Sequence, residues 1–291
     1  VTAEHELLVV GLGYVGIPLA LRACRAGLRT AGLDVDPSVV DTLAAARSHV
    51  AGVSDEDIAE LRLLGFAAGT APSVIASAET VVICVPTGLT ADRTPDLGPL
   101  RAASRTVGAH LRTGTLVVVE STSHPGTTEE VVLPILERES GLRAGEDFYL
   151  AFAPERIDPG NERFGLGNTP KVVGGHTPLC AKYCAAFYGR FVDTVVVARG
   201  TREAELAKLL ENTYRRDLEP AKLPERLLLL PELPLGPTGK VCRATLTTLA
   251  TAAHPPSGRS SRVMDRGADI PVGERASRSR SATASTGRTS G

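Results

Sequence analysis

The chain has 291 residues and a net charge of −1, with 43% apolar and 22% charged residues, so it has room for a sizeable core in one large domain or two ordinary ones. This balance leaves no electrostatic footprint for nucleic acid or an acidic membrane surface, and no apolar run is laid out as a membrane span or a signal peptide. Five scattered cysteines (24, 84, 180, 184 and 242) read as reduced thiols in a cytoplasm, and Cys180 and Cys184 lack the further ligands of a zinc site.

In chain order, a strand is predicted over 7–10 (LLVV), then the turn GLGYVG and a helix over 16–26. A strand over 30–34 (TAGLD) and helices over 37–46 and 55–64 follow, then a strand over 80–85 (TVVICV) and a helix over 97–111. Beyond these lie a strand over 115–119 (TLVVV), a helix over 127–138 and strands over 148–152 (FYLAF) and 171–173 (KVV). A helix over 177–189 and a strand over 193–197 (DTVVV) complete the alternation. Continuously apolar strands alternating with helices predict an α/β fold, a doubly wound parallel sheet covered on both faces.

The stretch GTREAELAKLLENTY (200–214) predicts a further helix with Leu206, Leu209 and Leu210 on one face and no stop signal. Residues 217–254 then carry Pro220, Pro224, Pro231, Pro234 and Pro237, and the helical period is lost. From 255 the chain is Ser, Arg, Gly and Thr, with seven arginines against three acidic residues. Such a tail buries too little apolar surface to offset its chain entropy and is expected to be disordered.

Gly11, Gly13 and Gly16 lie between a predicted strand and a predicted helix. That is the context in which a GxGxxG turn binds a dinucleotide. The first glycine permits the turn, the second admits a pyrophosphate, and the third lets helix and strand pack closely, with the helix N-terminus attracting the phosphate. Tyr14 and Val15 complete the turn. Asp34, eighteen residues after Gly16, sits where an acid would hold the ribose hydroxyls and repel a 2′-phosphate, which selects NAD over NADP.

Four further stretches accompany this turn: VVICVPTGLTADRTPDL (81–97), ESTSHPGTTEE (120–130), FAPERIDPGN (152–161) with KVVGG (171–175), and EAELAKLLENTYR (203–215). In this order they resemble the UDP-glucose/GDP-mannose dehydrogenase family over about residues 5–215, and are most similar to its branch acting on UDP-N-acetylglucosamine. The resemblance implies a Rossmann-type NAD-binding domain over 1–198 and the start of a central dimerisation helix over 199–216. It also implies a UDP-sugar substrate and a double oxidation of the sugar C6 alcohol to an acid, with NAD as cofactor, for polysaccharide precursors.

By the resemblance, Pro86 and Thr87 lie near the nicotinamide and Thr122 helps hold a catalytic water. Glu155 handles acid–base and water chemistry, and Arg156 contacts Glu155 or the nucleotide-sugar. Lys208 and Asn212 stabilise the oxyanion that forms as hydride leaves C6. Read without it, Thr87 is equally a strand-ending turn residue and Glu155 a solvated charge. Thr127 and Thr128 are helix caps. Lys208 and Asn212, four apart, share a helix face with Glu205, and a Glu205–Lys208 pair on a solvated face is the other reading. Asp158 and Asn161 read as turn formers.

The family's second oxidation uses a cysteine in a GGxCxP setting, through a thiohemiacetal and a thioester. Cys242, in GKVCRAT, does not match that setting. Residues 217–250 instead resemble the C-terminal end of acyl- and aryl-adenylating ligases, with Lys240 in the PTGKV turn. That segment is expected to be a non-functional graft or a frame error, and the 255–291 tail out-of-frame coding sequence or a linker. The central helix is expected to be cut short near Arg216, which would impair dimerisation and leave an NAD-binding domain without full turnover.

Overall fold

The structure is a computed structural model that describes residues 3–91, 94–155 and 169–217, with side chains to 210. Arg156, Asp158, Asn161, Lys240, Cys242 and the 218–291 segment lie outside the described residues, as does the side chain of Asn212.

Eight strands among the described residues form one sheet in the order β3-β2-β1-β4-β5-β6-β7-β8. They are β1 (His5–Val10), β2 (Thr30–Leu33), β3 (Ala67–Gly69), β4 (Ala78–Ile83), β5 (Leu116–Val119), β6 (Tyr149–Phe152), β7 (Lys171–Gly175) and β8 (Val195–Val197). The helices are α1 (Gly16–Arg25), α2 (Pro37–Ala44), α3 (Asp55–Leu63), α4 (Gly98–His110), α5 (Leu133–Ser140), α6 (Pro178–Tyr188) and α7 (Thr201–Asp217). Strands β1 to β6 are parallel, as predicted for a doubly wound Rossmann-type sheet. β7 pairs antiparallel to β6, and β8 follows β7. The prediction of uniform direction is thus corrected at the last two strands.

The apolar strands explain the layering. Leu7 and Val9 join one buried cluster with Ile17, Leu19 and Ala23 of α1, while Leu8 and Val10 join another with Leu100 and Val107 of α4. Alternate residues of one strand therefore feed opposite faces, and both faces are sealed. β3, absent from the predicted strands, is a three-residue edge without a β-branched side chain. The predicted 127–138 helix opens as a wide turn over Thr128–Val132 before α5.

α7 lies tightly on β7: a Cβ on Gly174 would stand 2.1 Å from the Gly200 carbonyl oxygen. The predicted helix forms, and its buried side carries Ala204 and Glu205, whereas Leu206 and Leu210 are 46% and 41% exposed.

The sheet's first strand is tied to the far end of the fold. Glu6 accepts from the Arg29 backbone N–H at 3.0 Å and pairs with Arg190 at 2.6 Å. These two contacts, the backbone bond first, hold the Glu6 carboxyl below its ordinary value. A lowered folded-state value means that the contribution is present above the unfolded carboxylate range and is lost as pH falls. Glu6→Gln is therefore expected to lower the melting temperature above pH ~6, as followed by circular dichroism, and to flatten its decline toward acidic pH, where the two chains converge.

Candidate active site at the C-terminal edge of the sheet

The strand order reverses between β1 and β4, and open sheets bind ligands in the crevice at such a point. Gly11 has φ +94°, and a Cβ there would lie 2.9 Å from the Cys84 carbonyl oxygen, so the turn fits directly beneath the end of β4. A Cβ on Gly16 would meet the Gly11 carbonyl oxygen at 2.0 Å. Gly13 faces open space, with nothing within 4 Å of a Cβ. Val15 provides no side-chain cap to α1, and no acid occupies its first turn, which leaves the leading N–H groups for an anion. Tyr14 is exposed at the rim.

Asp34 follows β2 and is held by the turn itself. Its Oδ2 accepts from the Leu12 N–H at 2.7 Å and its Oδ1 from the Asp36 N–H at 3.0 Å. Each oxygen keeps a lone pair for a hydroxyl donor. Sequence reasoning missed His49, whose Nε2 lies 2.8 Å from the Leu12 carbonyl oxygen and braces the same turn. A pocket closed to side chains at Gly11 and Gly16, open at Gly13 and flanked by a fixed acid fits a dinucleotide.

The next strand ends converge on the same edge. Pro86 and half-buried Thr87 follow β4, and half-buried Thr122 follows β5. Ser121 ties these two ends together, its Oγ donating to the Val85 carbonyl oxygen at 2.7 Å. Ser123 Oγ is buried with no hydrogen-bond partner among the described residues. Such a group calls for a bound water or ligand.

Glu120 and Glu155, at the ends of β5 and β6, share a buried cation. Lys171 Nζ lies 2.6 Å from Glu120 Oε1 and 3.6 Å from Glu155 Oε2, and Tyr188 donates its hydroxyl to Glu120. Glu155 is therefore not the solvated charge of the simpler reading. Burial pushes Glu120 above its ordinary value, opposed by Lys171 and Tyr188. Burial alone would lower Lys171, but the two carboxylates outweigh it and hold the ammonium protonated. Burial also pushes up the Cys84 and Cys184 thiols, first among their causes, so neither is a ready nucleophile.

On α7, the structure corrects the Glu205–Lys208 alternative. Glu205 is fully buried and accepts from Gly126 N at 2.5 Å, Thr128 N at 2.9 Å and Thr128 Oγ1 at 2.7 Å. A carboxylate from a distant helix thus caps the segment, while the expected cap Thr127 turns its hydroxyl to the His124 carbonyl oxygen. Beside it, Thr201 donates to Glu129 at 2.9 Å and Arg202 pairs with Glu130 at 2.6 Å. These bonds fix the start of α7 to residues 126–130, which follow Thr122, and Lys208 lies three residues beyond Glu205. Lys208 is half-buried, and the backbone of Asn212 continues the same helix.

Among the described residues, no group of three or more His, Cys, Asp or Glu could hold a metal ion, and no helix is long and apolar enough to cross a membrane.

Residues 5–192 match the model of the UDP-glucose/GDP-mannose dehydrogenase family, NAD binding domain. The chain is 36% identical over 242 residues to a UDP-N-acetyl-D-glucosamine 6-dehydrogenase of Salmonella typhi, covering 83% of this chain and 56% of that protein. Among solved structures, the UDP-D-ManNAc dehydrogenase of Pyrococcus horikoshii is 35% identical with a TM-score of 0.68, covering 72% of this chain and 50% of that one. The NDP-N-acetyl-D-galactosaminuronic acid dehydrogenase of Methanosarcina mazei Go1 is 32% identical with a TM-score of 0.67, covering 73% and 48%. The chain spans about half the length of the curated relatives it matches.

Glu205→Ala would leave three buried donors without an acceptor, at about 1–3 kcal/mol each and less than additive. The variant is expected to lose ~3 kcal/mol in urea unfolding, and Glu205→Gln about half of that.

Proposed function

Because the chain belongs to the UDP-glucose/GDP-mannose dehydrogenase family, we propose that it serves as an NAD-dependent UDP-sugar 6-dehydrogenase. In this reading it oxidises the C6 alcohol of a UDP-N-acetylglucosamine-type sugar toward the uronic acid for polysaccharide precursors. The observation that carries the reading is the glycine turn beneath β4, closed at Gly11 and Gly16 and open at Gly13, with Asp34 fixed beside it.

NAD, the cofactor of the matched domain, accepts the hydride when bound. Gly11, Gly13, Tyr14, Val15 and Gly16 hold its pyrophosphate, Asp34 its ribose, and Pro86, Thr87 and Thr122 the nicotinamide side. Lys208 and Asn212 stabilise charge on the C6 oxygen as it loses its proton. Thr122 and Glu155 position water and move its proton, and the Ser123 hydroxyl, buried without a hydrogen-bond partner among the described residues, supports a water next to Thr122. Arg156 and Glu155 contact the substrate. The domain division at 198 and 216 and a cytoplasmic location belong to the same reading.

A second reading, an NAD-binding module that does not complete the double oxidation, is favoured by one observation. All four cysteines among the described residues are buried, and the acid-forming half-reaction needs an accessible thiolate.

Titrating the purified chain with NAD and NADP in a thermal melt, and assaying NADH formation from UDP-N-acetylglucosamine, tests both readings. Stabilisation by NAD over NADP, weakened in Asp34→Ser, is expected, with NADH release that falls ~100-fold in Lys208→Ala while the NAD shift persists. Stabilisation without NADH would select the module, and no response to NAD would end both readings.

A further inference from the structure

Lys171 is the first residue of β7, and in a uniformly parallel sheet the first residue of a strand lies at the edge remote from the site. β7 instead runs against β6, with Ala151 opposite Gly175 and Phe152 opposite Gly174. The same register carried onward sets Lys171 across from Glu155, at the C-terminal edge. The reversal of one strand thus delivers a cation to the place where β5 and β6 end.

That cation is enclosed. The Lys171 side chain is 5% exposed, against 0% for Glu120 and 13% for Glu155, and its ammonium stands 4.9 Å from the centre of the Tyr188 ring. Glu120 immediately precedes Ser121 and Thr122, and Glu155 is the last described residue after β6. One buried ammonium therefore ties the end of the strand that leads to Thr122 to the end of the strand that leads to Glu155. A pair serving stability alone would need only one carboxylate. Here the cation is shared with a second acid, which is the member that retains exposure at the edge.

We propose that Lys171 is a positioning residue of this site, holding the Glu155 carboxylate and the Thr122 turn at a fixed separation through Glu155 and Glu120. It does not reach substrate; it acts by setting where the two water-handling groups stand. The inference rests on the roles proposed above for Glu155 and Thr122. A displacement of about 1 Å in such groups is enough to cost on the order of 100-fold in rate.

The test compares the full chain with Lys171→Met, Lys171→Arg and the double variant Lys171→Met/Glu120→Gln. The double variant removes the more deeply buried of the two stranded carboxylates and replaces the single variant if that one does not fold. Hydrogen exchange is read at residues 120–125 and 153–155, against the 11–17 turn as an internal reference. Turnover is followed with UDP-N-acetylglucosamine and NAD.

Lys171→Met is expected to speed exchange at both strand ends at least ~10-fold while the reference turn keeps its protection. Its kcat should fall ~10-fold or more, with KM for the sugar nucleotide within ~3-fold and the NAD Kd within ~2-fold. Lys171→Arg should recover most of both effects. Unchanged exchange at 120–125 and 153–155 in a folded variant, or an effect confined to KM, would overturn the proposal. A wild-type chain without turnover would count against the proposed function alone, because the exchange comparison still decides the role of Lys171.

Discussion

The site depends on a contact with no space in it. The Gly11 backbone passes under the Cys84 carbonyl, and Gly16 sits against the Gly11 carbonyl. A side chain at either position would push α1 away from β1 or lift β1 from β4, the pair at the centre of the sheet. Tight packing at these two glycines leaves Gly13 facing open space, the head of α1 uncapped and the Leu12 N–H within reach of Asp34. The cofactor surface is thus a by-product of how strand, turn and helix must pack.

A second constraint lies two strands away, where charge is kept in the interior. Placing Glu120, Lys171 and Tyr188 out of water carries a desolvation cost that an apolar trio would avoid. The cost is tolerable because each group finds a partner from a different element: β5, β7 and α6. Burial raises the thiols that share this interior, Cys84 and Cys184. The same medium that strengthens the ion pair therefore silences the sulfur chemistry around it. Glu205 solves the analogous problem with dipoles, its charge met by two backbone N–H groups and a hydroxyl.

Much of this was legible in the sequence, and what was not has identifiable causes. The runs LLVV, TVVICV and TLVVV announce buried strands because both their faces are apolar, and the glycine spacing with Asp34 announces the turn. Strand direction leaves no trace in periodicity, so the reversal at β7 could not be read. β3 is three residues, AAG, and offers no pattern. Lys171 opens a strand, where a lysine normally reads as solvated, and its burial depends on partners 51 and 16 residues away. Glu205 looked like one member of a helical surface pair, and its true partners are 77 and 79 residues distant. Local patterns predict local elements; the groups that align the site across elements are set by tertiary neighbours.

The placement of β1 bears on the order in which the molecule can be assembled during synthesis. Among the described strands β1 is made before the others, yet its two neighbours are residues 30–33 and 78–83, and its Glu6 meets Arg190 only after 184 further residues have been made. Until β4 emerges, Leu7 to Val10 form an apolar ribbon with an unpaired edge, the kind of segment that pairs with other nascent chains. The strand at the heart of the finished sheet therefore waits for β4, and until then its shelter comes from α1 packing on Leu7 and Val9 and from pairing with β2.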